Sequence, residues 1–219
     1  MSTITLSSNL RRTANIALAG IAYYVIVFIA LHFLRPDVNP ISQFTSDYSF
    51  GPFRILMVTA YFSMSLGSLA LVIGLYQGIS QQARSLFGLI FLGVWIVGLI
   101  IAGVFPLNPN VTQQTIAGLI AQVNAPLHVL SLAIGAILIS RRFKQDDNWR
   151  SLHSISLSLS LIMLVLFIGV GIATARGLEF AGLGQRIFIA IVLTWLSLTS
   201  VSLRSIATRL NMPVDRNAG

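Results

Sequence analysis

The side chains able to do chemistry are few in this chain, and they gather. The run "HFLRPDVNPISQFTSDYSFGPFR" over 32–54 holds Arg35, Asp37, Asp47 and Arg54 among Asn39, Ser42, Gln43, Thr45, Ser46 and Tyr48, although only 9% of the sequence is charged. A second polar run, "TARGLEFAGLGQRIF", carries Arg176, Glu179, Gln185 and Arg186. Arginine supplies a planar fork that fits phosphate or carboxylate. Arg54 and Arg186 are thus candidates to hold an anion, with Asp47, Tyr48 and Gln185 beside it. Asp47 has three possible ion-pair partners in Arg54, Arg35 and Arg186; the alternative is a loop whose charges simply meet water. Asp37 follows Pro36 and reads as turn chemistry. Glu179, the single Glu, can pair locally with Arg176.

The histidines open further options. Asp47 or Glu179 with His128 would make a general acid and base, given a common atom within about 3 Å of each. His32 and His128 could meet as axial ligands of a b-type haem. A zinc site would need Asp47 to join them, and no metal is expected. Asn124, His128, Ser131 and Gly135 are spaced to fall within roughly 60° on a helix. They form one stripe, beside the carbonyl of Gln122 freed by Pro126. That stripe either bonds a neighbouring helix or lines the floor of a cavity.

Other chemistries are ruled out by composition. The sequence has no Cys, so disulfides, thiolate metal sites and Cys nucleophiles are absent. Its one Lys, Lys144, lies in a basic turn and cannot form a retinal Schiff base within a bundle. There is no Walker A pattern, no HExxH and no GxSxG.

The elements that position these residues must sit in lipid. The sequence is 55% hydrophobic with a mean hydropathy of +0.84, too apolar for a soluble fold of 219 residues. Bilayer hydrocarbon of about 30 Å asks for about 20 apolar residues per helix. Six such runs occur, near 14–34, 52–76, 85–104, 116–140, 151–173 and 185–205. In the fifth, "HSISLSLSLIML" alternates like a strand. A helix is still expected, because an open sheet edge goes unsatisfied in lipid and each Ser can bond back to its own helix. The expected architecture is all-α: a six-helix transmembrane bundle over 14–205, with short polar segments at 1–13 and 206–219.

Basic residues set the orientation. Arg11, Arg12, Arg84, Arg141, Arg142, Lys144, Arg150, Arg204, Arg209 and Arg216 share one side. Arg35, Arg54, Arg176 and Arg186 share the other. The positive-inside rule puts the first side, with both chain ends, in the cytoplasm. The net charge of +8 then reflects anchoring to anionic lipid, with no role in binding nucleic acid. The polar connections 35–51, 105–115 and 174–184 face outward. Gly88, Gly93, Gly98 and Gly103 recur every five residues and so spiral round their helix, whereas Ser63 and Gly67 have the spacing of a close helix contact.

The order of features resembles a known family. The chain shows "LRPDVNPISQFTSDY" after the first span, "AGVFPLNPN" after the third, then "TIAGLIAQVNAPLH", and "GLGQRIF" at the last. This is similar to the prokaryotic integral membrane proteins grouped as domain of unknown function 998, over about residues 14–203. The family's Ser-Asp corresponds to Ser46 and Asp47, its Phe-Pro to Phe105 and Pro106, its Gln-Arg to Gln185 and Arg186. Asn108 stands where the family has an acid, and His128 comes later after Gly118 than the family's His. The family is in turn distantly similar to the Frag1/DRAM/Sfk1 group, some linked to lipid handling. The resemblance implies a multi-pass protein of a prokaryotic cytoplasmic (inner) membrane, with membrane lipid as partner. The function expected is an outward polar pocket for a lipid headgroup or small anionic ligand: Asp47, Tyr48, Arg54, Gln185 and Arg186 around it, Asn124 and His128 at its floor. A lipid-modifying enzyme, a haem electron carrier and a structural or partner-binding subunit are the alternatives.

Overall fold

A computed structural model of the protein describes residues 3–106 and 115–211. The Asn108-Pro109 stop and Arg216 lie outside the described residues. Regular structure within them is helical: α1 (Thr3–Leu34), α2 (Arg54–Gly78), α3 (Leu86–Val104), α4 (Ile116–Phe143), α5 (His153–Ala175) and α6 (Ala181–Leu210), plus two short 3-10 turns, Thr45–Ser49 and Arg150–Leu152. All six α-helices are long and apolar enough to cross a membrane. Each packs on its neighbour in sequence, and α6 returns to pack on α1, so the helices close a ring. Call the end holding Arg84, Lys144 and Arg150 the basic end. The opposite end carries the connections after α1 and α5.

The helices overrun the apolar stretches that announce them. α1 begins at Thr3, well before residue 14, because the Ser, Asn and Arg residues there contain no helix breaker. Leu10 in that extension is fully buried and lies against Gly78 of α2. α6 extends beyond 185–205 at both ends. α2 starts later than residue 52, since Phe53 adopts φ 60, left-handed backbone that a helix cannot include. α5 is a helix throughout, and its Ser160 hydroxyl donates back to the Ser156 carbonyl at 2.6 Å.

In lipid, helices associate by close packing and hydrogen bonds, which small residues permit. A Cβ on Gly20 of α1 would lie 2.6 Å from the Ser63 carbonyl and 3.0 Å from Gly67 Cα on α2. A Cβ on Gly135 of α4 would lie 2.9 Å from the Gly88 carbonyl of α3. Gly93 meets nothing and Gly103 faces Phe62 of α2, so the five-residue glycine series does spiral. Polar groups add to the packing. Trp195 of α6 is fully buried and donates to Ser156 Oγ at 2.8 Å, and Ser140 Oγ of α4 bonds Ser156 at 2.5 Å. At the basic end, buried Asp146 accepts from Ser80 N at 2.8 Å, and Trp149 Nε1 donates to the Gly78 carbonyl at 3.0 Å. Those two bonds tie the α4–α5 connection to the end of α2 and the connection that follows it.

Candidate functional site

The site grows from one face of α1. Tyr24, Phe28 and His32 recur every fourth residue and so stack along it. Phe28 meets the His32 ring edge-on at 4.7 Å, and His32 lies 5.3 Å from the ring of Tyr48. Tyr48, on the 3-10 turn, is fully buried. The connection after α1 therefore folds back over the end of the bundle.

Arg35 fixes the start of that fold. Its guanidinium grips the Asp37 carboxylate through Nε at 2.8 Å and Nη2 at 2.7 Å. Nη1 donates to the Phe50 carbonyl and, at 3.2 Å, to the Pro52 carbonyl. One side chain thus closes both ends of the connection. Asp37 does more than the turn chemistry read from its place after Pro36: the Arg35 hydrogen bond holds its carboxyl below the usual range and raises Arg35 in turn. Asp47 caps the 3-10 turn by accepting from Phe44 N at 3.2 Å.

α6 supplies the other wall. A Cβ on Gly182 would lie 2.8 Å from the Ile41 carbonyl, so glycine lets the connection rest directly on α6, where Leu183 N donates to that carbonyl at 2.9 Å. Gln185 Oε1 accepts from Thr45 N at 2.8 Å. Arg186 reaches across to His32, the connection and Tyr48. Its Nε donates to His32 Nε2 at 3.1 Å, Nη1 to the Gln43 carbonyl at 2.7 Å and the Gly182 carbonyl at 3.2 Å, and Nη2 to Tyr48 Oη at 3.4 Å. Guanidinium cannot accept, so His32 Nε2 holds a lone pair and Nδ1 carries the proton donated to the Phe28 carbonyl at 2.7 Å. Every bond to Arg186 comes from a neutral acceptor.

Asp47 feels Arg186 and Arg35 without pairing with either. Its side chain is half-buried, and that burial pushes its carboxyl above the usual range. The Phe44 N–H, Arg186 and Arg35 oppose the shift. Among the described residues the ion pairs are Arg35–Asp37 at 2.7 Å and Arg150–Asp147 at 2.9 Å. None joins Asp47 to Arg35, Arg54 or Arg186, and none joins Glu179 to Arg176.

Of the residues singled out in the sequence, Asp47, Tyr48, Gln185 and Arg186 come together. Arg54 is exposed at the start of α2, and Glu179 is exposed between α5 and α6. Asn124 and His128 are buried against α3 instead. Asn124 Nδ2 donates to the Gly98 carbonyl at 2.9 Å, and the His128 ring stacks on Trp95 at 5.4 Å. Gly98 has no room for a Cβ because His128 Cβ is already there. Gly135, on the same stripe, meets Gly88. The stripe serves as a seam between α3 and α4, and no hydrogen bond or ion pair among the described residues links His128 to Asp47 or Glu179. Both ring nitrogens of His32 are engaged, so a haem iron at Nε2 would have to displace Arg186. Among the described residues no three His, Asp or Glu side chains are grouped to hold a metal ion.

His32 was visible in the sequence only as a possible metal or haem ligand. Its partnership with Arg186 joins residues 154 positions apart, and single-sequence spacing carries no signal for it. Gln43 was one of several polar residues in the run, and it contributes its backbone carbonyl.

Six apolar helices closed in a ring, with a polar cluster under the α1–α2 connection, define a helical multi-pass membrane protein. The chain belongs to the family described as protein of unknown function (DUF998), which matches residues 18–202. No curated protein and no solved structure matches it.

Proposed function

We propose that this protein recognises a small anionic group, a lipid headgroup or a free anion, at the end of the bundle covered by the α1–α2 connection. The membrane would be a prokaryotic cytoplasmic membrane, with the basic end facing the cytoplasm. One observation carries the reading. Arg186 is half-buried at the lipid-headgroup end of a helix, and among the described residues no carboxylate lies in ion-pair contact with it. A buried cation bonded only by neutral acceptors keeps its full charge, and charge at this depth favours a counter-ion.

Arg186 and Arg35 differ in this respect. Arg35 already holds Asp37. Arg186 has a long bond to Tyr48 Oη, at 3.4 Å, that an arriving phosphate or carboxylate oxygen would replace. Tyr48 would then donate to the anion, and Asp47, which caps the 3-10 turn carrying Tyr48, would keep that hydroxyl oriented. Gln185 holds the 3-10 turn, and hence Tyr48, in place. Arg54 would act from the exposed rim.

The test is the lipid and anion content after gentle detergent extraction. In Arg186→Gln, co-purified anionic lipid, or the rise in melting temperature on adding inorganic phosphate, should fall about tenfold, the range of one lost charge-assisted bond. Arg186→Lys should recover part of it. Bound anion unchanged in Arg186→Gln would end the proposal.

A further inference from the structure

The opposite end of the bundle holds a cleft of about 420 Å³ between the start of α3, the end of α4 and the start of α5. Its lining includes Arg141, Arg142 and Lys144, with Ser85, Leu138 and Leu157. We propose that this cleft is a second, separate site, and that it holds the phosphate of an anionic membrane lipid. The proposal does not depend on the Arg186 site.

Three features converge. The first is an excess of positive charge. Arg141, Arg142 and Lys144 are exposed, and none makes an ion pair among the described residues. Of the acids nearest in sequence, Asp147 is offset by Arg150 and Asp146 keeps its charge on neutral donors, so the three cations still outnumber it. Asp147 pairs with Arg150 at 2.9 Å, and Asp146 accepts from Ser80 N and Asn148 N at 2.8 and 2.9 Å. Arg142 donates to the neutral Gln145 Oε1 at 2.9 Å, which leaves its charge intact.

The second feature is the direction of the helices. α3 and α5 both begin at this cleft, so two positive dipole ends face it against the one negative end of α4. Ser85 caps α3 by accepting from Gly88 N at 3.2 Å, while α5 has no side-chain cap. His153 opens α5. Its Nδ1 donates to the Ser140 carbonyl at 2.8 Å, so the ring is held at the cleft wall.

The third feature selects a lipid over a free ion. Leu138 lies three residues before Arg141 on α4, and Leu157 four residues after His153 on α5. At 1.5 Å per residue they sit about 5 Å deeper than the polar rim. The cleft is therefore basic at its mouth and apolar below. Beyond Leu157, α5 is the least buried of the six helices, and exposes Leu161, Ile162 and Val165. An acyl chain can continue along that surface while its phosphate meets the three cations. Inorganic phosphate would gain nothing from the leucines.

The experiment uses the full chain in nanodiscs of phosphatidylcholine, with and without phosphatidylglycerol, and counts retained lipid by native mass spectrometry. Each cation near a membrane surface contributes about fivefold in affinity, so the double variant Arg141→Gln/Lys144→Gln should lose about thirtyfold in phosphatidylglycerol retention. A second double variant, Arg204→Gln/Arg209→Gln, removes the same charge from exposed positions of α6 outside the cleft and should retain wild-type binding. Equal loss in both double variants would reduce the effect to general surface attraction and overturn the site. No loss in either would overturn it as well. Inorganic phosphate, added to the detergent-solubilised protein, should displace the lipid only weakly; displacement at equal concentration would assign the cleft to the free ion. Lipid content lost in Arg186→Gln but not in the cleft variant would leave the other site standing and remove this one.

Discussion

The two ends of the bundle both carry arginines that, among the described residues, have no carboxylate in ion-pair contact, yet they use them differently. Under the α1–α2 connection, Arg186 is half-buried and spends its donors on His32, Gln43, Gly182 and Tyr48. At the basic end, Arg141 and Lys144 are exposed around a cleft, and among the described residues their side chains make no ion pair. Loss of a half-buried, hydrogen-bonded cation leaves its acceptors without donors, whereas loss of an exposed cation without such bonds leaves none unmet. Stability and recognition should therefore be coupled at one end and separable at the other.

The sharpest way to break this contrast is Arg186→Ala. It leaves His32 Nε2 and the Gln43 carbonyl without their donor, and should cost about 3 kcal/mol of stability, read as a fall in the detergent melting temperature. Arg35→Lys comes next. A lysine cannot grip Asp37 and reach the Phe50 and Pro52 carbonyls together, so a loss of about 2 kcal/mol is expected. At the basic end, Arg141→Gln/Lys144→Gln should move stability by less than about 0.5 kcal/mol while lipid retention falls. A large melting shift in that variant would erase the distinction between the ends.

Asp47 gives a pH test of the same contrast. Its folded carboxyl titrates above the unfolded value, chiefly through burial. The folded state then binds this proton more tightly, so the contribution is full below the unfolded pKa and is lost as pH rises through the folded one. Asp47→Asn should flatten that part of the stability profile, measured by melting across the mildly acidic range. An unchanged slope would show that Asp47 is better solvated than its position implies.

Much of the architecture was legible because lipid imposes it. Six apolar runs of span length could only be helices, and the Ser63–Gly67 spacing did mark the close contact with Gly20. The polar run after α1 was visible as the place where charge collects, and Asp47, Tyr48, Gln185 and Arg186 do meet there. Pairing within it was not legible. Arg35 chose Asp37, two residues away, over Asp47, because the fork fits one carboxylate and two carbonyls at once. The Asn124–His128 stripe was read correctly as one face, but a face does not name its neighbour, and Gly98 on α3 decided that. Helix ends were misjudged wherever polar residues without a breaker continued a helix past its apolar run, as at Thr3–Leu10. The cleft at the basic end could not be seen, since it depends on how far apart three helix ends sit.

The ring itself has a consequence for assembly. Five of its six contacts join consecutive helices, so each can dock as soon as it follows its predecessor into the bilayer. The sixth, α6 on α1, must wait until α6 itself has entered the bilayer. Arg186 and His32 lie on that last seam. The guanidinium is thus positioned as a latch that fastens only once α6 has reached α1, and a protein lacking it should linger with α1 and α6 apart, exposed to membrane proteases.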